Sequence, residues 1–212
     1  MKRLLIIGAG GFGREIYGWA KDVQEKDPGW ELGGFLDENI YALDDYSYPI
    51  GIVGNPDTYL PSDNDLFICA IGDPVAKLDI CQLLEDRGAN FITLIHPTAI
   101  IGPKCELGYG CILCPGSLLT TNVSLGNFVT LNVYATVGHE AVIGDGSTLS
   151  GHADVTGSAK LGKGVFLGSH AVVLPSATVE DFVTVGAGST VLRFAQSNST
   201  VFGVPAKNIY SS

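Results

Sequence analysis

From Ile95 onward, hydrophobic positions recur every six residues. Stepping by six meets Ile95, Ile101, Leu107, Leu113, Leu119, Leu125, Leu131, Val137, Ile143, Leu149, Val155, Leu161, Leu167, Val173, Val179, Val185 and Val191. All seventeen are Leu, Ile or Val, and chance agreement at one register is on the order of 10⁻¹⁰. A second column, four residues later, holds only small residues and runs from Ala99, Cys105, Cys111 and Ser117 to Ser189 and Ala195. Period six is neither the 3.6 of a helix nor the 2 of a long strand. With one short strand and one corner per unit, every third unit brings the chain back over itself to complete a coil. The pattern predicts a triangular prism of parallel strands, with one bulky and one small inward residue per unit. Glycine follows the aliphatic residue at Gly102, Gly108, Gly126, Gly138, Gly144, Gly162, Gly168 and Gly186, where it is expected to relieve strain at the corners. The register does not slip through Ala195, so no long loop is expected between coils.

Residues 1–94 have another rhythm. Lys2–Ile7 reads as a buried strand, and Ile16, Ala20 and Val23 keep helical spacing after it. A second strand is predicted around Glu31–Leu36 and a third at Leu66–Ile71. Asp73 and Pro74 form a helix-start signal, with Gly88 to close that helix. Phe91–Leu94 reads as a fourth strand, and 39–65 as irregular connection. Together these elements predict a small open parallel sheet with helices, an α/β unit of Rossmann-like type. Between the first strand and first helix lies Gly8-Ala9-Gly10-Gly11-Phe12-Gly13, the Gly-x-Gly-x-x-Gly spacing that lets backbone N–H groups approach a diphosphate. Asp37 follows the second strand, where a ribose or base would be read. The bland alternative is a tight strand–helix turn with no ligand. A nicotinamide-dependent oxidoreductase would use the same loop, but the unit is about 90 residues, roughly one mononucleotide half. A nucleotide-linked sugar is the preferred ligand.

Composition narrows the classes. The chain has 212 residues, 46% hydrophobic and 16% charged, with 28 Gly; it is neither a disordered chain nor a coiled coil. The net charge is −10. Residues 1–94 carry 7 Lys+Arg and 16 Asp+Glu, hence −9, and the remainder 5 and 6, hence −1. No basic patch is available for nucleic acid or for an anionic membrane surface. No apolar run approaches the roughly 18–20 residues of a membrane span, and Leu4–Ile7 is too short for a leader. Five cysteines, odd in number and without metal-site spacing, point to a reducing cytoplasm. Cys105 and Cys111 fall in the small inward column and read as core fillers.

Four histidines are the chemical candidates. His96 stands at the start of the prism, in Ile95-His96-Pro97. His152 and His170 are three units apart and so stack on successive coils. His139 lies two after Val137 and precedes Glu140, which puts it on the outer surface. Imidazole, with an unperturbed pKa near 6.5, accepts a proton at neutral pH, and a neighbouring carboxylate favours the resulting cation. The gaps of 43, 13 and 18 between histidines do not form a zinc set of the kind found in prism-type carbonic anhydrases, and no metal is expected. The Thr-x-Thr ladders of ice-binding prisms are missing.

The prism pattern resembles the left-handed parallel β-helix of hexapeptide-repeat acyltransferases. Over nearly its whole length the chain resembles the PglD/NeuD-type bacterial sugar acyltransferases. The shared motifs are Gly8–Gly13, Phe35-Leu36-Asp37, Ala70-Ile71-Gly72, Ile95-His96-Pro97, Gly138-His139-Glu140 and Val201–Lys207. The resemblance implies a Rossmann-like nucleotide-sugar domain over 1–94, and a left-handed β-helix acyltransferase domain with a C-terminal tail over 95–212. It implies His139 as general base with Glu140 as its supporting carboxylate. It also implies Gly10, Gly11, Asp37, Gly72 and Asn132 at the acceptor, with Ser150 and Gly157 where acetyl-CoA passes. Some relatives carry a second histidine near the thioester; Thr148 aligns there, and His152 is a candidate substitute. The implied activity is acetyl-CoA-dependent N-acetylation of a nucleotide-linked 4-amino-4,6-dideoxy sugar for bacterial surface glycan synthesis, in a homotrimer with sites between subunits. The alternatives are O-acetylation of a sugar such as sialic acid, and a noncatalytic prism that binds a nucleotide sugar.

Overall fold

The computed structural model describes residues 1–26 and 28–211; residue 212, the end of the second expected domain, lies outside the described residues. The first unit contains β1 (Lys2–Ile7), α1 (Gly11–Gln24), β2 (Trp30–Leu36), β3 (Ile52–Gly54), β4 (Asp65–Cys69) and α2 (Pro74–Glu85). The four strands form a parallel sheet in the order β3-β2-β1-β4. Leu4, Leu5, Ile6 and Ile7 of β1 are fully buried because the sheet is covered on both faces. α2 starts as expected: the Asp73 side chain accepts from the Ala76 N–H at 2.8 Å, with Pro74 in the first turn.

Two expectations for this unit fail. The 39–65 connection contains a strand, β3, three residues long and easily lost among Gly, Pro and Asp. Phe91–Leu94 is not a fourth sheet strand: Phe91 makes only an isolated bridge to Phe67, and Leu94–Ile95 already pairs with Ile112–Leu113 of the prism.

The prism follows as a left-handed parallel β-helix with three faces. Face 1 stacks Leu94–Ile95, Ile112–Leu113, Thr130–Leu131, Thr148–Leu149, Phe166–Leu167, Thr184–Val185 and Ser199–Phe202. Face 2 runs from Ile100–Ile101 to Thr190–Val191, and face 3 from Glu106–Leu107 to Phe194–Ala195. The inward column from Leu113 to Val191 is buried. Ile95 and Ile101 are 37% and 39% exposed, because the first coil has no coil beneath it.

The register does slip, at the end. Phe194–Ala195 pairs with Thr178–Val179, so the last coil is two residues short and Ala195 takes an aliphatic position rather than a small one. The role of the corner glycines also differs from expectation. Those after the aliphatic residue lack a left-handed φ. They are required by stacking: a Cβ on Gly102 would stand 1.4 Å from the Thr120 carbonyl oxygen of the next coil. The left-handed positions lie two residues later and are mostly not glycine, including Tyr134, Glu140, His152, Ser158 and His170.

The first unit sits on face 1 over the early coils. Leu94, Ile112 and Cys114 belong to one buried cluster with Leu4, Ala9 and Ile16. His96 bridges the units, with Nε2 3.2 Å from Asp22 and Nδ1 2.8 Å from Thr98.

Candidate active site

His139 and Glu140 stand on the corner between faces 2 and 3, just after Thr136–Val137. Inward Val137 anchors the strand and the next residues turn outward, so both side chains are exposed, at 63% and 62%. His139 Nδ1 is 3.7 Å from Glu140 Oε2, an ion-pair distance once the imidazole is protonated. Ser158, one coil on, donates from Oγ to the same carboxylate oxygen at 2.9 Å, and its N–H donates to the His139 carbonyl at 2.7 Å. Gly157 closes the other side of the ring: a Cβ there would meet His139 Nε2 at 2.4 Å. Nε2 has no protein partner among the described residues. The arrangement is an imidazole held on one side by a braced carboxylate and free on the other to take a proton.

Asn132 and Ser150 occupy a different corner, between faces 1 and 2, just after the inward Leu131 and Leu149. The strand of face 2 separates them from His139 by about 15–20 Å at ordinary strand rise. One chain therefore does not bring them to the base. Asn132 Oδ1 accepts from the Val133 N–H at 2.6 Å, which fixes the corner.

Thr148 is not at an open site. It is 4% exposed, and its hydroxyl accepts from Lys77 Nζ at 2.9 Å, beneath α2. His152 is exposed on the corner and stacks on Tyr134 and His170. Cys111 is buried in the prism core, and burial pushes its thiol up to about 11. Cys105 is half-buried against that core.

The glycine loop divides by function. Gly8 is left-handed at φ 93°, and a Cβ on Gly13 would stand 1.9 Å from the Gly8 carbonyl oxygen, so both belong to the turn itself. Gly10, Gly11 and Gly72 are neither left-handed nor crowded; a Cβ on any of them meets nothing within 4 Å. The fold does not need glycine there, whereas a ligand approaching the backbone would. The N-terminus of α1 has no side-chain cap, leaving its first N–H groups open to an anion. Asp37 accepts from the Ala9 N–H at 2.7 Å and the Asn39 N–H at 2.9 Å, so it braces the loop. A cleft of about 310 Å³ lies beside it, lined by Gly8, Asp37, Pro56, Ile71 and Ala76. Sequence reasoning misses Arg14. Its guanidinium lies 3.9 Å from the Tyr46 ring centroid and donates to the Ala9 carbonyl at 3.1 Å, bringing a cation to the loop. Its place one residue after Gly13 is the one signal that could have flagged it.

Residues 3–84 match the family profile described as the PglD N-terminal domain. That match lies within the first unit and takes in about two fifths of the chain. Among curated proteins, the chain is 25% identical over 141 residues to the GDP-perosamine N-acetyltransferase of Escherichia coli O157:H7, covering 66% of this chain and 63% of that one. It is 28% identical over 117 residues to the UDP-N-acetylbacillosamine N-acetyltransferase of Bacillus subtilis (strain 168), covering 53% and 51%. The matches thus span between half and two thirds of the length of these relatives. The structure superposes on PerB from Caulobacter crescentus, solved with CoA and GDP-perosamine, with a TM-score of 0.84 and 28% identity over 98% of this chain and 97% of that one. The two proteins share the two-part scaffold, and in this chain Ala9 of the glycine loop belongs to the same buried cluster as Ile112 and Cys114 of the prism.

Proposed function

We propose that the chain is an acetyl-CoA-dependent N-acetyltransferase acting on a nucleotide-linked 4-amino-4,6-dideoxy sugar, in bacterial surface glycan synthesis. The observation that carries this reading is the exposed His139 ring, held between Glu140 and Gly157 on a prism corner, in a chain whose Gly10, Gly11 and Gly72 are glycine without local need. The likeness to GDP-perosamine and UDP-N-acetylbacillosamine N-acetyltransferases supports the acceptor class. PerB, solved with CoA and GDP-perosamine, supports the pairing of ligands.

Residues 1–94 hold the nucleotide sugar at the Gly8–Gly13 loop, and 95–212 hold the coenzyme along the prism. His139 takes a proton from the attacking amine. The amine nitrogen bonds to the acetyl carbonyl carbon, the C–S bond breaks, and the proton on the imidazolium passes to the departing CoA sulfur. Glu140, held by Ser158, steadies the imidazolium. Four of the five cysteines are buried and Cys105 is half-buried against the prism core, and the transfer in this reading is direct.

Because Asn132 and Ser150 stand on another corner, a second copy must supply them, and a homotrimer with sites between prisms satisfies this. Five free cysteines fit a reducing cytoplasm. No helix among the described residues is long and apolar enough to cross a membrane. Incubation with acetyl-CoA and GDP-, UDP- or dTDP-linked 4-amino sugars should release free thiol and yield the N-acetylated sugar by mass spectrometry. Thiol release with hydroxyl acceptors alone would assign O-acetylation instead. Binding of the nucleotide sugar without turnover would make the prism a scaffold. Light scattering should give about three times 22.2 kDa.

A further inference from the structure

Cys69 and Cys81 form a pair of buried thiols that no step of the proposed transfer uses. Cys69 is the last residue of β4, and Cys81 stands on the buried side of α2. They are 1% and 0% exposed and share one apolar cluster with Ile7, Leu36 and Phe67. The Cys81 thiol donates to Cys69 Sγ, and the Ile71 N–H donates to the same sulfur. Lys77, one helical turn before Cys81, brings a buried ammonium to the pair. Burial opposes ionisation of Cys69, but the Cys81 thiol, the Ile71 N–H and the Lys77 charge together hold its pKa below the ordinary thiol value. Burial and the neighbouring Cys69 push the Cys81 thiol up. Cys69 is thus the sulfur that carries negative charge, and Cys81 a second thiol within its reach.

The pair lies behind the wall of the cleft beside the glycine loop. Ile7, Ile71, Ala76 and Ile80 line that cleft. Ile7 is the partner of Cys69 across β1 and β4, Ile80 adjoins Cys81 in sequence, and Ile71 is two residues past Cys69. A small oxidant entering the cleft therefore has one layer of side chains to pass. Ala70 donates its N–H to the Ile7 carbonyl at 2.8 Å and lies against the glycine loop, where a Cβ on Gly8 would stand 3.2 Å from the Ala70 carbonyl oxygen. Any shift of Cys69 is passed directly to Ala70, Ile71 and Gly72.

We propose that Cys69 and Cys81 are a reversible redox site, closed to a disulfide by hydrogen peroxide, and that the closed form binds the acceptor nucleotide more weakly. The bond stands on the thiol pair alone; its effect on the acceptor rests on the reading of the glycine loop given above. The Cys69 thiolate attacks one peroxide oxygen: an S–O bond forms, the O–O bond breaks and hydroxide leaves. That hydroxide takes the Cys81 proton and becomes water. The Cys81 sulfur then attacks Cys69 Sγ, the S–S bond forms, the S–O bond breaks and a second hydroxide leaves. Each sulfur gives up one electron and the peroxide takes both. The covalent bond draws the two sulfurs inside van der Waals contact and carries Ala70–Gly72 along with Cys69. A dithiol reductant reopens the bond by exchange, as befits a transient redox-sensing disulfide in a reducing compartment.

The test treats the folded full chain with hydrogen peroxide, alkylates the remaining thiols and maps the peptides by mass spectrometry. The expected product is a Cys69–Cys81 link that dithiothreitol reverses. Calorimetric titrations with GDP, UDP and dTDP should show the oxidised protein binding its preferred nucleotide about tenfold more weakly, an ordinary coupling between neighbouring sites, with full recovery on reduction. Cys81→Ser should keep its affinity through the same treatment; should that variant not fold, recovery of the wild type on reduction serves as the control. Absence of the link at a peroxide dose that already oxidises half-buried Cys105 would overturn the proposal. So would a link that forms only in the denatured chain, or one that leaves nucleotide affinity unchanged. A reduced protein that binds none of the three nucleotides sinks the acceptor reading and the switch with it, while the peptide map still decides whether the redox pair exists.

Discussion

Gly157 is packed against the imidazole of His139 so closely that a Cβ at 157 would stand 2.4 Å from Nε2 and 2.5 Å from Cε1. Its backbone is not left-handed, so the ring, not the fold, requires glycine there. Gly157→Ala should therefore leave the thermal midpoint close to wild type while turning the imidazole away from its position. We expect kcat to fall by about tenfold or more, in line with the sensitivity of catalysis to small misplacements. In a His139→Ala background the same substitution should cost nothing further. A double-mutant cycle on kcat measures this coupling, and additive losses would show that Gly157 acts elsewhere.

His139→Ala should lower kcat by at least about a hundredfold, the usual worth of a general base, with both ligands still bound. Glu140→Gln should cost less, because the imidazole remains. Ser158→Ala should cost less again, since it removes only the 2.9 Å hydrogen bond that holds the Glu140 carboxylate. Single-turnover rates under saturating ligands check the order of the three.

Asp37 joins the Ala9 and Asn39 N–H groups through its two carboxylate oxygens. Asp37→Ala releases the glycine loop at its second residue. Acceptor binding should weaken and coenzyme binding stay nearly constant in separate calorimetric titrations. Loss of coenzyme affinity alone would reverse the division of labour between the two units.

Lys77 supplies a pH-dependent signature of the junction between units. It is 1% exposed and donates from Nζ to Thr148 Oγ1 at 2.9 Å, Thr130 Oγ1 at 3.1 Å and the Ser147 carbonyl at 3.4 Å. Burial lowers its pKa to about 8, against the pull of nearby Cys69, Cys81, Cys111 and Asp73. Between that value and the ordinary 10.5, the unfolded chain binds more protons than the folded one, so this contribution to stability rises with pH. Relative to Lys77→Met, the wild type should gain about 2 kcal/mol between pH 7.5 and 9.5. Thermal midpoints of both proteins at the two pH values test the sign. A gap that moves the other way, or does not move, would mean that Lys77 is charged without cost in the folded state.

The six-residue period was enough to specify the prism, because only a strand-and-corner unit returns an aliphatic residue inward at that interval. The helix starts were equally local: Asp73 and Pro74 carry their own capping chemistry, and Gly8 and Gly13 their own turn. His139 and Glu140 were legible as neighbours in sequence. The purpose of Gly157 was not, since the side chain that needs it lies one full coil back and meets it only through the stacking of coils. Lys77 read as an ordinary helix lysine until α2 was laid on face 1, over Thr130 and Thr148.

What the sequence by itself determined is therefore everything that repeats or is satisfied within a few residues: the coils, the glycine loop, the exposed histidine pair. Tertiary structure alone decided what depends on contacts between coils or between units. It set the shortened last coil ending at Phe194–Ala195, the covering of Thr148, the separation of Asn132 and Ser150 from His139, and the place of Tyr134 beside the stacked His152 and His170. The physical reason is that hydrophobic period and capping are properties of a chain segment. Burial of a lysine, crowding at a glycine and stacking of rings are properties of surfaces that meet only once the chain has folded.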